Sequence, residues 1–227
     1  SKGMVKRMEL ELLGKVRKAQ KILGENIISP LEVNNILKEK TSVEKNLYSS
    51  IIQNYVLLET IPEDSELNRL NEEGYLMIPR PPENCFRVLE DFIRIEPDLF
   101  LINSDIRISL LEINKEKIKG SGWIFFKKDV LGRNLSYKEQ LELIQSSNGY
   151  LKRLPTVTEL SWIFLIYYLS KGKVIFDKRY YIRTSSFMNN NHLILGLSNG
   201  KLINVIDFSD YLKSMMVGIS PISIKNL

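Results

Sequence analysis

The chain has 227 residues, 44% of them apolar and 26% charged, with a net charge of +5. That length can bury one sizeable core or two small ones, and no low-complexity segment reads as disordered. The single cysteine, Cys85, and the single histidine, His192, exclude an intrachain disulfide, a cysteine-built zinc site and a histidine-rich metal centre.

Residues 4–23 place Val5, Met8, Leu12, Val16, Ala19 and Leu23 at three- and four-residue spacing, which predicts an amphipathic helix with Lys and Arg on its other face. Such a helix packs on its own domain, pairs with another chain, or meets nucleic acid or a membrane surface. Ser29, Pro30 and Glu32 predict the start of a second helix, and Thr41 with Glu44 the start of a third, so 4–59 reads as three helices. Four prolines punctuate 61–86, where Gly74 ends a short helix and "YLMI" fits a short strand. Then "ENCFRVLEDFIRI" predicts a helix, "DLFLINSDIRISLLEI" one or two strands, and Trp123–Phe126 a buried strand.

Ser136 and Glu139 predict a capped helix over 137–147. Thr156 and Glu159 repeat the device after Pro155 and open a helix that Gly172 closes. That helix contains "LSWIFLIYYL", about half the ~20 apolar residues of a membrane span, and so reads as a core helix. Strands follow in "KVIFD", "YYIRTSS", "HLILGLSNGKLINVID" and "MVGISPI", with Asn199-Gly200 turning a hairpin. Helices first and antiparallel strands later predict an α+β protein, divided into a helical region over 4–95 and an α+β domain over 96–227.

No phosphate-binding glycine loop and no HExxH occurs. The acidic pairs Glu63-Asp64, Glu72-Glu73 and Glu90-Asp91 are adjacent in sequence and read as solvated surface. Cys85 reads as a buried small apolar residue, and His192 as a loop histidine. Arg179, Tyr180, Tyr181 and Arg183 have the composition to stack bases and hold phosphates. Period-two alternation instead turns Tyr180 and Ile182 inward and Tyr181 and Arg183 outward. Residues 185–191, "SSFMNNN", read as a polar loop suited to ligand contact or to plain connection.

"RLPTVTEL" at Arg153–Leu160 resembles the "RLPTEAEWE" motif of the formylglycine-generating enzyme family and the "RLPT" of related domains with the C-type lectin-like fold. "YIRTSS" and "VGISPI" fall where such domains carry a strand with serines and a closing strand, so the resemblance covers about 120–224. It implies a lectin-like scaffold of two helices and a twisted antiparallel sheet, from a bacterial or phage source. The family's paired active-site cysteines and the lectins' calcium-binding motifs are missing, so the resemblance carries over no catalytic residue, no metal and no cofactor. The expected function is non-catalytic binding of a protein or glycan through loops 184–192 and 207–216. Tyr181, Arg183, Ser185, Asn189, Asn190 and Asn191 are the candidate ligand-binding residues. A homo-oligomer through the N-terminal helix is a further option. The alternative function is that of a basic nucleic-acid-associated protein using the 6–21 face or the 171–183 strand. Met4 reads as the natural start behind a three-residue expression remnant, and the lack of disulfides and of a signal peptide favours the cytoplasm.

Overall fold

A computed structural model describes residues 1–101, 112–147, 149–176 and 179–225. Helix α1 (Lys2–Leu23) buries Leu12, Val16, Ala19 and Leu23 of the predicted stripe and leaves Val5 and Met8 half-buried. Helix α2 (Pro30–Thr41) starts at Ser29, whose hydroxyl accepts from the Glu32 N–H at 3.1 Å. The Glu32 carboxylate does not reach back to the cap; it accepts from the Ser170 hydroxyl on a later helix.

The third helix begins later than Thr41 and Glu44 suggest. Ser42 sits in the left-handed region (φ 59°) and ends α2. Residues 43–50 cross as irregular chain: Asn34 Oδ1 accepts from the Leu47 N–H at 2.9 Å, and Asn54 Nδ2 donates to the Tyr48 carbonyl at 2.7 Å. Helix α3 (Ile51–Glu59) then starts at Ser50, which caps the Gln53 N–H. Helix α4 (Asp64–Glu72) is followed by Gly74 at φ 75° and strand β1 (Tyr75–Pro79). Helix α5 (Leu89–Ile95) is shorter than the run 83–95 predicts. The Arg87 guanidinium donates to the carbonyls of Pro81, Pro82, Ile118 and Gly120, which holds the chain before α5 in a loop. Most of the strand expected in "DLFLINSDIRISLLEI" lies outside the described residues; Pro97–Leu99 form a single 3₁₀ turn.

Strands β1, β2 (Trp123–Lys127), β3 (Tyr150–Arg153) and β8 (Ile222–Lys225) form an antiparallel sheet in the order β1-β2-β8-β3. Tyr75 pairs with Lys127 and Pro79 with Trp123, so this sheet crosses the boundary expected near residue 95, and one apolar core runs from Leu12 to Ile222. Strands β4 (Tyr181–Met188), β5 (Asn191–Ser198), β6 (Leu202–Ile206) and β7 (Val217–Gly218) form a second sheet, β6-β5-β4-β7, in which β4 and β7 run parallel. Helix α6 (Tyr137–Leu141) carries the capping box of Ser136 and Glu139 but stops well before 147. "KVIFD" forms no strand over its described residues 173–176; Phe176 instead packs on Phe126 and Phe164.

Helix α7 (Val157–Lys171) is buried on every side over Val157–Tyr167, as its continuous apolar run demands, and packs against α2, α5, β4 and β5. The indole N–H of Trp162 donates to the Pro79 carbonyl at 2.9 Å and satisfies the one polar atom of that buried ring. The chain is α+β.

The "RLPT" joint connects β3 to α7. Thr156 and Glu159 exchange the two hydrogen bonds of a capping box at 3.0 Å each. Arg153 grips both oxygens of the Glu159 carboxylate, at 2.7 and 2.8 Å. The box is therefore locked by a bidentate ion pair.

Candidate functional site

Strand β4 follows α7 in the chain and is tied back to the joint at the start of that helix. The pairing of β4 with β5 slips between Arg183 and Phe187. Within the slip, Thr184 donates its hydroxyl to the Leu193 carbonyl (2.7 Å), and the Ser185 N–H donates to the Pro155 carbonyl (2.9 Å). Ser186 Oγ accepts from the Val157 N–H and donates to Glu116 Oε2, both at 2.8 Å. Ser185, through its backbone N–H, and Ser186, through its hydroxyl, thus clamp β4 onto the start of α7, while Thr184 ties β4 to β5.

The segment 185–191 is a hairpin rather than a loop. Met188 pairs with Asn191, and Asn189 and Asn190 both take positive φ (51° and 65°), as a two-residue type I′ turn requires. Their polar composition suggests a loop, but asparagine is one of the few residues that enters the left-handed region cheaply. The side chains of Asn189 and Asn190 stand exposed at the tip. Asn191 faces the neighbouring loop, its Oδ1 accepting from the Asp210 N–H at 3.3 Å.

Arg183 is 0% exposed, against the outward orientation that alternation predicts. β4 lies between β5 and β7 and is covered on both faces at this point, so alternation does not report exposure. Its Nε donates to Gln140 Oε1 at 2.7 Å. Gln140, also fully buried, donates onward to the carbonyls of Gly132 and Val217. The Arg183 Nη atoms approach the carbonyls of Ser209 and Leu212 at 3.5 Å and Asp210 Oδ1 at 3.7 Å, and the guanidinium lies 5.2 Å from the Phe208 ring centroid. Burial pulls the guanidinium pKa down and the Asp210 charge opposes it. Even lowered, an arginine stays charged at neutral pH.

His192 completes the anchor. Its backbone N–H donates to Asp210 Oδ1 and its Nδ1 lies 2.8 Å from Asp210 Oδ2. The ring stacks on Tyr137 (3.8 Å between centroids, 17° between planes) and meets Phe187 at 5.0 Å. Burial, then the Asp210 charge, raises the Tyr137 phenol pKa. The Tyr137 N–H donates to the Asp210 carbonyl. His192 therefore has a specific place, as a clamp on Asp210.

These contacts fix the segment 207–216 from beneath. Lys213 pairs with Glu139 at 2.8 Å, the Asn134 N–H donates to the Ser214 carbonyl, and the Tyr181 N–H donates to the Met216 carbonyl at 2.7 Å. The outer side is apolar: Tyr211 is 90% exposed, and Leu212, Met215, Met216 and, on β4, Phe187 are about half exposed. Apolar side chains in this number, held outward on a pinned backbone, cost solvation in the free protein and make this segment the candidate site.

Of the six candidate residues, Asn189, Asn190 and Asn191 sit beside this surface and Arg183 lies under it. Ser185 is in the α7 clamp. Tyr181 is half-buried: its hydroxyl accepts from Asn204 Nδ2 at 3.2 Å, and its ring fills the space over Gly196. Sequence reasoning named the segment 207–216 but missed Gln140 and Tyr137 outside it and the tie between Asp210 and His192, because Gln140 lies 43 residues from Arg183 and Asp210 lies 18 from His192. The lone histidine was the one available signal.

Two concavities lie elsewhere. A groove of about 280 Å³ runs between α1 and α2 along Leu10, Leu13, Pro30, Leu31 and Tyr48, and a second of about 270 Å³ is lined by Gln53, Glu83 and Cys85. Burial raises the Cys85 thiol pKa, which disfavours the reactive thiolate. Among the described residues no group of three His, Cys, Asp or Glu is placed to hold a metal ion, and no helix is long and apolar enough to cross a membrane. No family model, no curated protein and no solved structure matches this chain.

Proposed function

We propose that this protein is a non-catalytic recognition module that binds a protein partner through the segment 207–216, with Phe187 and the turn Asn189–Asn190 at its edge. The observation that carries the reading is a backbone pinned by buried Arg183 and by half-buried Asp210 and His192 while Tyr211, Leu212, Met215 and Met216 face solvent. Binding loops on rigid scaffolds have this form, because a fixed backbone loses little entropy when the partner docks. Methionine and tyrosine supply contact area that adapts to a partner at low conformational cost. Leucine and methionine favour an apolar protein segment over a glycan, which needs a denser set of polar groups around its aromatic platform.

The lectin-like reading of the C-terminal half belongs to the same proposal. It is supported by the succession of strand β2, helix α6, the "RLPT" joint, helix α7 and the strands that follow. The non-catalytic reading is supported by the absence of the family's cysteine pair and by the use of the one histidine as a clamp.

Selection from a random-peptide library, with a glycan array in parallel, tests this. Peptides with apolar anchors are expected to enrich on the wild type and to fail on a Tyr211→Ser, Met215→Ser double variant. Enrichment that survives the double variant defeats the proposal. Glycan binding without peptide binding moves the assignment to carbohydrate.

A further inference from the structure

The charge of this protein is not spread over it. Helix α1 carries seven cations (Lys2, Lys6, Arg7, Lys15, Arg17, Lys18, Lys21) and two carboxylates (Glu9, Glu11), a surplus of five. The whole chain has 32 Lys and Arg against 27 Asp and Glu, also a surplus of five. Everything outside α1 is balanced, so the basic character of the protein is a property of one helix.

That helix is oriented. Its apolar stripe, Leu12, Val16, Ala19 and Leu23, is buried in the core, and α1 packs on α3 and α4. Lys6, Arg7, Lys15, Arg17, Lys18 and Lys21 are all exposed, and none of the six forms an ion pair among the described residues. At 100° per residue Arg7, Lys18 and Lys21 fall within a sector of about 60°, centred away from the buried stripe. From Lys6 to Lys21 the helix rises about 22 Å, a length along which duplex nucleic acid presents a row of backbone phosphates. Unpaired cations at several points of such a row release condensed counterions on contact, which supplies affinity without reading sequence.

We infer that the outer face of α1 is a docking surface for the phosphate backbone of double-stranded nucleic acid. An anionic membrane offers the same charge, but an interfacial helix must put an apolar face into the bilayer. The apolar stripe of α1 is buried within the protein, and the exposed Met4 and Leu10 are two separate side chains rather than a second apolar face. Single strands are held largely by base stacking on aromatic rings, and α1 contains no aromatic residue. The face also lacks an array of Asn and Gln for reading base edges; Gln20 is its one amide. With cations on phosphates as its main attraction, binding is steeply dependent on salt. The surface is separate from the segment 207–216, so either assignment can fail alone.

The test is fluorescence anisotropy with short labelled duplexes of random sequence, one of DNA and one of RNA, at low salt. With three of the six cations engaged, affinity falls about 40-fold from about 50 to about 200 mM salt. The variant Arg7→Gln, Lys18→Gln, Lys21→Gln loses at least about tenfold in affinity and flattens that salt dependence. A control variant, Lys117→Gln, Lys119→Gln, Lys201→Gln, removes the same charge from exposed positions elsewhere and keeps binding. All six substitutions are at exposed sites, and unchanged thermal melting confirms folding. The inference is overturned by absent duplex binding at low salt, by equal loss in both variants, or by binding of phosphatidylserine vesicles through α1 with no duplex binding.

Discussion

Arg153 and Glu159 hold each other across the turn that joins β3 to α7, with both carboxylate oxygens engaged at 2.7 and 2.8 Å. Glu159 is almost fully buried and also closes the capping box with Thr156. Burial alone would raise this carboxyl. The Arg153 hydrogen bonds and charge, with the donors of Thr156, outweigh it, and the pKa lies below the ordinary 4.5. A carboxyl depressed on folding contributes stability in full above its unfolded pKa and loses it as pH falls through the folded one. Urea midpoints should therefore hold steady near neutral pH and fall below about pH 4.5, and Glu159→Gln should flatten that part of the profile. Arg153→Met leaves a buried charge unpaired; because Arg153 is about a third exposed, water softens the loss, and about 1–2 kcal/mol is expected at neutral pH.

Arg183→Met removes the donor that reaches under Ser209 and Leu212, leaves the buried Gln140 Oε1 without its donor and takes the guanidinium charge away from Asp210. A cost of about 2–4 kcal/mol is expected in chemical denaturation. Amide exchange over 208–214 should accelerate more than exchange in α7. Arg183→Lys keeps the charge but not the planar fork, and should fall between wild type and Arg183→Met.

Gly218 lies where strand β7 passes the 130–133 segment. A Cβ there would sit 2.5 Å from the Leu131 carbonyl oxygen and 2.5 Å from a Val130 methyl. The Leu131 contact is with backbone, which cannot swing aside. Gly218→Ala should cost about 2–3 kcal/mol and lower Tm by roughly 4–12 °C in a calorimetric scan.

Local grammar was legible in the sequence and long-range partnership was not. The boxes at Ser136/Glu139 and Thr156/Glu159 and the turn at Asn199-Gly200 depend on residues within four positions, and each forms as the spacing predicts. Thr41 and Glu44 show the limit: the same spacing starts no helix, because Asn34 and Asn54 claim the backbone of 47 and 48 for an irregular crossing. Period-two alternation turns Arg183 outward, whereas it is buried. Its buried partner Gln140 is 43 residues away, and no local pattern announces it. In the "RLPT" joint the capping spacing accounts for Thr156 and Glu159, whereas the role of Arg153 appears only in its grip on the Glu159 carboxylate.

Hydrogen exchange of the protein, alone and saturated with a selected peptide, tests the recognition surface most directly. The account predicts slowed exchange confined to 186–192 and 208–216. Protection on other elements, with those two segments unchanged, would contradict it.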